Sequence, residues 1–187
     1  MRPFRFYLLA LIIVAIDQLT KWSVQARLPL NNVPVPAIGR FLYLTHTRNT
    51  GGAFSLFQAG NSMFIVVAGL AIVALVYAYH KMKRSDLLVT AALALAFGGA
   101  IGNLIDRVRF GYVVDFFDIQ AGTGRSIWPI FNVADSAITV GIVLLAGHFL
   151  FAKPPSEPEA VAEQPVNRDE TVTKPDAMAV MNANERE

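Results

Sequence analysis

The stretch MFIVVAGLAIVALVYAY, residues 63–79, contains no charged residue. A helix needs roughly 20 mostly apolar residues to cross a bilayer, so this stretch predicts a membrane span. Three further stretches are similarly long and apolar: residues 6–24, 87–105 and 133–151. Together they predict an all-α membrane protein with four transmembrane helices.

The overall composition supports this class. Of the 187 residues, 54% are hydrophobic and 16% are charged, and the mean hydropathy is +0.45, whereas a soluble domain carries about 25% charged residues. The absence of cysteine excludes a disulfide framework, a thiolate nucleophile and cysteine metal ligands. The pI of about 9.0 indicates attraction to anionic lipid head groups, because the basic residues form no stripe typical of nucleic-acid binding.

Charge divides the chain into two parts. Residues 153–187 hold four basic residues, eight acidic residues and five of the ten prolines. Such a segment cannot bury a core, so we predict a disordered, acidic, Pro-rich tail. Residues 1–152 are predicted to form the membrane domain, and any acid chemistry in it must use its six aspartates: Asp17, Asp86, Asp106, Asp115, Asp118 and Asp135.

Basic residues also predict the orientation, because Lys and Arg in short loops stay in the cytoplasm. The densest basic cluster is HKMKR at residues 80–84, and Arg2, Arg5 and Lys153 flank the set of spans. Four spans place all of these residues on one side of the membrane. Both termini are therefore expected to be cytoplasmic, and the loops at residues 25–62 and 106–132 to face outward.

The two outer loops contain segments that favour extended structure. Residues 41–47, FLYLTHT, precede the turn-forming NTGG at residues 49–52, and residues 53–57 follow, which predicts a small extracytoplasmic sheet or hairpin. The second loop contains YVVDFF at residues 112–117. Aromatic residues of these loops are expected to form the floor or rim of a site, with interfacial anchoring as the alternative: Phe54, Phe57, Phe116, Phe117 and Trp128.

Polar residues gather at the predicted outer ends of the spans, where ionisable groups are candidates for function. Asp17 and Lys21 are four residues apart on one helix face, which predicts an ion pair with a structural or substrate-framing role. Asn103 lies three and four residues before the neighbours Asp106 and Arg107. We interpret that group either as a structural clamp or as part of a substrate-binding site.

Asp115 and Asp135 are the candidate catalytic residues. Asp115 lies between two valines and two phenylalanines, an apolar setting that raises the pKa of a carboxyl group. Asp135 lies about one turn inside the fourth span, whereas Asp86 is expected only to cap the third helix or to balance charge. Two carboxylates in a low-dielectric site share a proton, so that one activates water while the other protonates or hydrogen-bonds a substrate carbonyl.

A metal site is the main chemical alternative to a carboxyl pair. The three histidines, His46, His80 and His148, do not cluster in the sequence. Zinc usually takes His or Cys ligands, and hard metals require several oxygen ligands. We therefore predict neither a metal nor a cofactor.

Five blocks in order give this sequence a resemblance to the lipoprotein signal peptidase (signal peptidase II, or prolipoprotein signal peptidase) family. They are DQLTK at residues 17–21, NTGGAFS at 49–55, GGAIGNLIDR at 98–107, GYVVDFFD at 111–118 and FNVADS at 131–136. The resemblance covers roughly residues 5–152 and does not include the tail. Gly52, where many members have Ala, is the one small variation.

The resemblance implies an aspartic endopeptidase of the bacterial cytoplasmic (inner) membrane, which removes signal peptides from prolipoproteins at a lipobox cysteine that carries diacylglycerol. It implies a catalytic dyad of Asp115 and Asp135. Polar residues are implied to support the dyad: Asn49, Asn103, Arg107 and Asn132, with Asp17 nearby. The expected partners are the lipid-modified substrate, membrane lipids and the inhibitor globomycin, with no nucleic acid.

Two other classes of protein are compatible with parts of the sequence. A small proton-coupled transporter also uses membrane aspartates, but four spans without a visible inverted repeat make a poor transporter. A non-enzymatic membrane scaffold explains the apolar spans and the spacing of Gly98 and Gly102, which favours close helix packing. It leaves the clustered Asp and Asn residues unexplained.

Overall fold

The computed structural model describes residues 2–51, 60–81, 86–122 and 124–151. Its elements, in chain order, are α1 (Arg2–Arg27), β1 (Val35–Ile38), β2 (Leu42–Asn49), α2 (Gly60–Lys81), α3 (Leu87–Phe110), β3 (Val113–Ile119) and α4 (Val133–Phe151). All four helices are long and apolar enough to cross a membrane, so the predicted spans are confirmed. Two predicted segments lie outside the described ranges: the hairpin arm at 53–57, with Phe54 and Phe57, and the tail at 153–187.

Helix α3 contacts each of the other three helices and supplies most of the buried residues of the bundle. Glycines allow the close approach that this central position requires. A Cβ added at Gly98 would lie 2.8 Å from the carbonyl oxygen of Ala10 in α1, and one added at Gly102 would lie 2.6 Å from Asp17 Oδ2. The close packing predicted from the spacing of Gly98 and Gly102 is thus confirmed.

The far end of the bundle, where α3 begins, is held by aromatic packing and a helix cap. The buried ring of Phe6 stacks on Tyr79 with 4.1 Å between centroids and lies 5.3 Å from Phe97. Asp86 Oδ1 accepts hydrogen bonds from two backbone N–H groups of the first turn of α3. The capping role predicted for Asp86 is confirmed.

The three strands form one antiparallel sheet in the order β1-β2-β3, which confirms the predicted sheet. Strand β2 pairs with β1 on one edge and with β3, from the other long connection, on its second edge. The register shifts between Leu44 and Thr47, and after this irregularity Thr47 lies opposite Asp115. Bulges of this kind redirect side chains next to functional sites.

A short bridge joins the beginning of α4 to the sheet. The Phe117 amide donates to the Phe131 carbonyl at 2.7 Å, and the Phe131 amide donates back to Phe117 at 3.1 Å. Strand β3 also contacts α1 and α3. The polar ends of α1, α3 and α4 therefore meet beside β3, a region that we call the sheet end of the bundle.

Candidate active site

A reciprocal pair of hydrogen bonds closes the N-terminus of α4. Asn132 Oδ1 accepts from the Asp135 amide at 2.9 Å, and Asp135 Oδ2 accepts from the Asn132 amide at 3.2 Å. This is the geometry of a capping box, with Asp in the position that Glu usually occupies. Asp135 is thereby fixed in the first turn of α4, where the helix dipole stabilises negative charge.

Asn132 also connects the two candidate catalytic carboxyl groups. Its Nδ2 donates to Asp115 Oδ1 at 2.6 Å and to the Val114 carbonyl at 3.3 Å. Its Oδ1 faces a backbone N–H, which can only donate, so geometry determines the orientation of this amide. Asn132 is fully buried and Asp115 is 1% exposed. One buried residue thus joins the two carboxyl groups, through its side-chain NH2 to Asp115 of β3 and through its backbone N–H to Asp135 of α4.

Asn103 supplies a second amide contact to Asp135. Its Nδ2 donates to Asp135 Oδ1 at 2.7 Å, and its Oδ1 accepts from Lys21 Nζ at 2.9 Å and from Asn132 Nδ2 at 3.2 Å. An ammonium group only donates, so the oxygen of Asn103 must face Lys21 and its NH2 must face Asp135. Both oxygens of Asp135 therefore accept N–H hydrogen bonds.

Lys21 lies at the centre of a buried ion network behind this pair. Its Nζ lies 2.9 Å from Asp17 Oδ2 and 3.0 Å from Asp106 Oδ2, and it is 2% exposed. The ion pair predicted between Asp17 and Lys21 is confirmed. Of the group at the end of α3, Asp106 pairs with Lys21 across the interface between α1 and α3, whereas the guanidinium of Arg107 lies over Phe64 of α2.

The buried carboxylates also organise the neighbouring backbone. Asp17 Oδ1 accepts from the Ala134 amide at 3.0 Å, and Asp106 Oδ2 accepts from the Val114 amide at 3.1 Å. These bonds attach α4 and β3, the two elements that carry the candidate dyad, to α1 and α3. Burial without a paired cation would be costly for both carboxylates, and Lys21 supplies that cation.

Gln18 is a member of this network that sequence reasoning missed. Its Nε2 lies 3.1 Å from Asp17 Oδ2, 3.0 Å from Asp106 Oδ1 and 3.2 Å from the Gly102 carbonyl oxygen. Its position three residues before Lys21 places both side chains on one helix face. That spacing is the feature of the sequence from which Gln18 could have been predicted as a neighbour of Lys21.

The electrostatic environment of Asp115 favours its neutral form. Burial, and next the charge of Asp135, raise the pKa of Asp115 from 3.8 to about 7, against hydrogen bonds from Asn49 and Asn132 and the charge of Lys21, which lower it. Desolvation and a nearby like charge both disfavour ionisation of a carboxyl group. The predicted raised pKa of Asp115 is confirmed.

Arg107 is the second cation near the pair. Its guanidinium interacts electrostatically with Asp115 and Asp135 and lies 4.4 Å from the ring centroid of Phe64. Among the described residues, its buried Nη1 has no hydrogen-bond partner.

Two cavities that described residues line adjoin the site. One, of about 290 Å³, is lined by Asp115, Asn49, Ile130 and the end of β2. The other, of about 790 Å³, runs between α2, α3 and α4. Its described lining residues are apolar except for Asn103 and Arg107. The larger cavity thus reaches the residues that contact the candidate dyad.

The predicted aromatic rim is only partly formed by the described residues. Phe116 is 2% exposed and packs on Phe117, with 4.5 Å between ring centroids, so it belongs to the core under the sheet. Trp128 is 62% exposed, as interfacial anchoring requires. The predicted polar residues, in contrast, all lie at the sheet end: Asp17, Lys21, Asn49, Asn103, Asp106, Arg107, Asp115, Asn132 and Asp135.

A bundle of four apolar helices with a buried, hydrogen-bonded carboxyl pair beside a large apolar cavity is the arrangement of a membrane-embedded hydrolase. The family model for signal peptidase (SPase) II matches residues 9–151. The chain belongs to the signal peptidase II family, and it is a multi-pass bacterial membrane protease.

Individual relatives agree with this assignment. The chain is 43% identical over 145 residues to a lipoprotein signal peptidase of Moorella thermoacetica, covering 78% of this chain and 92% of the relative. It is 44% identical over 157 residues to one of Desulforapulum autotrophicum, covering 81% and 94%. A bacterial membrane enzyme solved by the in meso method at 1.9 Å resolution is similar in fold, with a TM-score of 0.73, 34% identity and coverage of 80% and 94%.

Proposed function

We propose that this protein is an aspartic endopeptidase that removes the signal peptide from diacylglyceryl-modified prolipoproteins at the lipobox cysteine. The observation that carries the aspartic mechanism is that one buried residue, Asn132, binds both carboxyl groups: its Nδ2 donates to Asp115 Oδ1 and its backbone N–H donates to Asp135 Oδ2. The substrate class is supported by membership in the signal peptidase II family and by relatives named lipoprotein signal peptidase.

The hydrogen bonds favour different roles for the two carboxyl groups. Asp135 accepts N–H bonds on both oxygens and lies in the first turn of α4, a position suited to a group that accepts a proton from water. Asp115 has a pKa raised to about 7 by burial and by Asp135. In our proposal Asp115 holds the shared proton and Asp135 is the general base.

The proposed reaction needs only water and these two groups. The water oxygen attacks the scissile carbonyl carbon while Asp135 removes a proton from that water. In the same step Asp115 donates its proton to the carbonyl oxygen. When the tetrahedral intermediate collapses, the C–N bond breaks and Asp135 gives its proton to the leaving nitrogen. Asp115 regains a proton from the hydroxyl group as the carbonyl re-forms, so both groups return to their starting states.

The larger cavity supports an apolar, membrane-borne substrate. It has a volume of about 790 Å³, lies between three membrane-spanning helices, and ends at Asn103 and Arg107. An apolar signal segment or lipid chain fits such a lining, because burial of apolar surface is favourable there. The peptide bond to be cleaved would then lie next to the dyad.

Orientation follows from the basic residues. We propose that both termini are cytoplasmic and that the sheet end faces outward, because Arg2, Arg5 and the cluster at residues 80–84 retain their segments inside. The substrate is then met at the outer leaflet of the bacterial cytoplasmic membrane. Globomycin, the inhibitor implied by the family resemblance, is proposed to block this site.

The test is cleavage of two synthetic precursors by the purified full chain in lipid vesicles. The precursors share one sequence and differ only in the diacylglyceryl group on the lipobox cysteine. We expect cleavage of the lipidated precursor at that cysteine, inhibition by globomycin, and no cleavage by the Asp135→Asn variant. Equal cleavage of both precursors would contradict the substrate assignment, and an active Asp135→Asn protein would contradict the mechanism.

A further inference from the structure

Helix α2 carries none of the candidate polar site residues, yet its first turns contact the site. Asn61 Nδ2 donates to the backbone carbonyl of Arg107 at 3.0 Å. One turn later, the ring of Phe64 lies under the Arg107 guanidinium, 4.4 Å from its central carbon. A guanidinium at this distance is attracted to the aromatic face. Both contacts act on Arg107, which interacts with Asp115 and Asp135.

The same ring also abuts the turn that follows β2. A Cβ added at Gly51 would overlap the Phe64 ring. Gly51 has a φ of +85°, and its amide donates to Asn49 Oδ1 at 2.8 Å. The side chain of Asn49 in turn forms a hydrogen bond with Asp115. Phe64 therefore lies between Arg107 on one side and the turn that carries Asn49 on the other.

We infer that Phe64 is a positioning residue that holds Arg107 and the turn of Asn49 in the geometry that the carboxyl pair requires. Arg107 is long and half-buried, and none of the described residues pairs with its Nη1. A flat ring fixes the plane of the guanidinium, whereas an aliphatic side chain of similar volume has no electron-rich face to do so. Helix α2 thus contributes to the site through packing.

The kinetic part of this inference rests on the proposed function and compares Phe64→Leu with Phe64→Tyr. We expect Phe64→Leu to lower kcat about tenfold, with a change in KM of less than about threefold, because one cation–π contact is lost. Phe64→Tyr keeps the ring and should stay within about twofold of the wild type. Phe110→Leu is the matched control, since Phe110 contacts the guanidinium of Arg109 at 4.9 Å and lies outside the candidate site.

Two results would overturn the inference: wild-type kcat in Phe64→Leu, or equal losses in Phe64→Leu and Phe64→Tyr. A loss of kcat in Phe110→Leu as large as in Phe64→Leu would also overturn it, because the effect would then be general. Failure of the wild-type protein to cleave lipidated precursor would instead reject the proposed function.

A second measurement tests the contact itself without substrate. Gly51→Ala and Phe64→Ala are combined in a double-mutant cycle, with the melting temperature as the readout. Gly39→Ala is the control, because Gly39 also has a positive φ, of +54°, but has open space where the Cβ would lie. We expect Gly51→Ala to lower Tm more than Gly39→Ala. In the Phe64→Ala background the loss from Gly51→Ala should fall to that of Gly39→Ala. An unchanged loss in that background would show that Phe64 does not hold the turn.

Discussion

The side-chain amides of Asn132 and Asn103 each donate a hydrogen bond to one member of the carboxyl pair. Each amide has its oxygen fixed by a group that only donates, a backbone N–H for Asn132 and the Lys21 ammonium for Asn103. Their NH2 groups are therefore directed at Asp115 and Asp135. The neutral form that we propose for Asp115 arises from its burial and from the charge of Asp135, against the hydrogen bond from Asn132.

The first prediction concerns the dyad. Asp115→Asn and Asp135→Asn each keep the side-chain shape but remove the acid or the base, so each should lower kcat about a thousandfold. The double variant should cost little more, because residues that act as a unit are non-additive. Asp86→Asn is the control and should be close to neutral, since Asn is an equally good helix cap. The measurement is cleavage of lipidated precursor by folded, purified variants. Additive losses in the double variant would show that the two carboxyl groups do not act as a unit.

The raised pKa of Asp115 gives a prediction for stability. Its pKa is about 7 in the folded protein and 3.8 ordinarily, so between these values the unfolded chain releases a proton that the folded protein retains. The stabilising contribution of neutral Asp115 is present below pH 3.8 and is lost as the pH rises to about 7. Asp115→Asn avoids this loss, worth about 2–4 kcal/mol for a shift of this size. The difference in Tm between Asp115→Asn and the wild type should therefore increase in favour of the variant from pH 5 to pH 8. A constant difference would refute the raised pKa of Asp115.

Helix α4 shows how an element positions a residue. Its N-terminus is bound by Asn132, by Asp17 through the Ala134 amide, and by the bridge between Phe117 and Phe131. Its body then approaches α3 where glycines leave space. Asp135 is the third residue of this helix, so a shift of α4 by a fraction of an ångström moves the proposed base.

Gly99→Ala tests this coupling between helix packing and chemistry. A Cβ at Gly99 would overlap the Ala134 carbonyl oxygen and Ile138 in α4, and overpacking costs about 1–3 kcal/mol. We expect a lower Tm and a kcat reduced about tenfold or more. Gly147→Ala, on a helix position with nothing near its Cβ, should keep both values. Wild-type kcat in Gly99→Ala would show that the position of α4 is not critical.

The whole molecule combines an apolar bundle, which any bilayer accommodates, with one polar end closed by a sheet. The strands come from two connections that are far apart in sequence, and β2 pairs with β3 across them. This pairing brings Asp115 over the ends of α1, α3 and α4. The proposed outward position of the sheet end depends on the number of spans and on the positions of all the basic clusters.

Membrane orientation can be tested by chemical labelling of introduced cysteines. The chain has no cysteine, so Arg40→Cys and Lys83→Cys each introduce a single reactive site. With Lys and Arg clusters held in the cytoplasm, a membrane-impermeant maleimide should label position 40, near the sheet end, in intact cells, and position 83 only after lysis. Equal labelling of both positions would contradict the proposed topology.

The tail is expected to be dispensable. Residues 153–187 are acidic and rich in proline, a composition that does not support a packed core. A chain that ends at Pro154 should insert into the membrane and cleave lipidated precursor at the wild-type rate. Loss of cleavage with normal expression would contradict this prediction.

The sequence alone determined the four spans, because apolar length is a local property. It also predicts Asp115 and Asp135 as the candidate dyad, from their apolar settings and their place near predicted span ends. The cap formed by Asp86 and the ion pair of Asp17 and Lys21 were also predictable, because in each case the partners lie within about one helical turn of each other. The third partner, Asp106, the amide bridge of Asn132 and the contact of Phe64 with Arg107 and Gly51 depend on side chains from different elements. Only the tertiary structure decided these, because the distance between residues far apart in the chain is set by how the helices pack and how β2 and β3 pair.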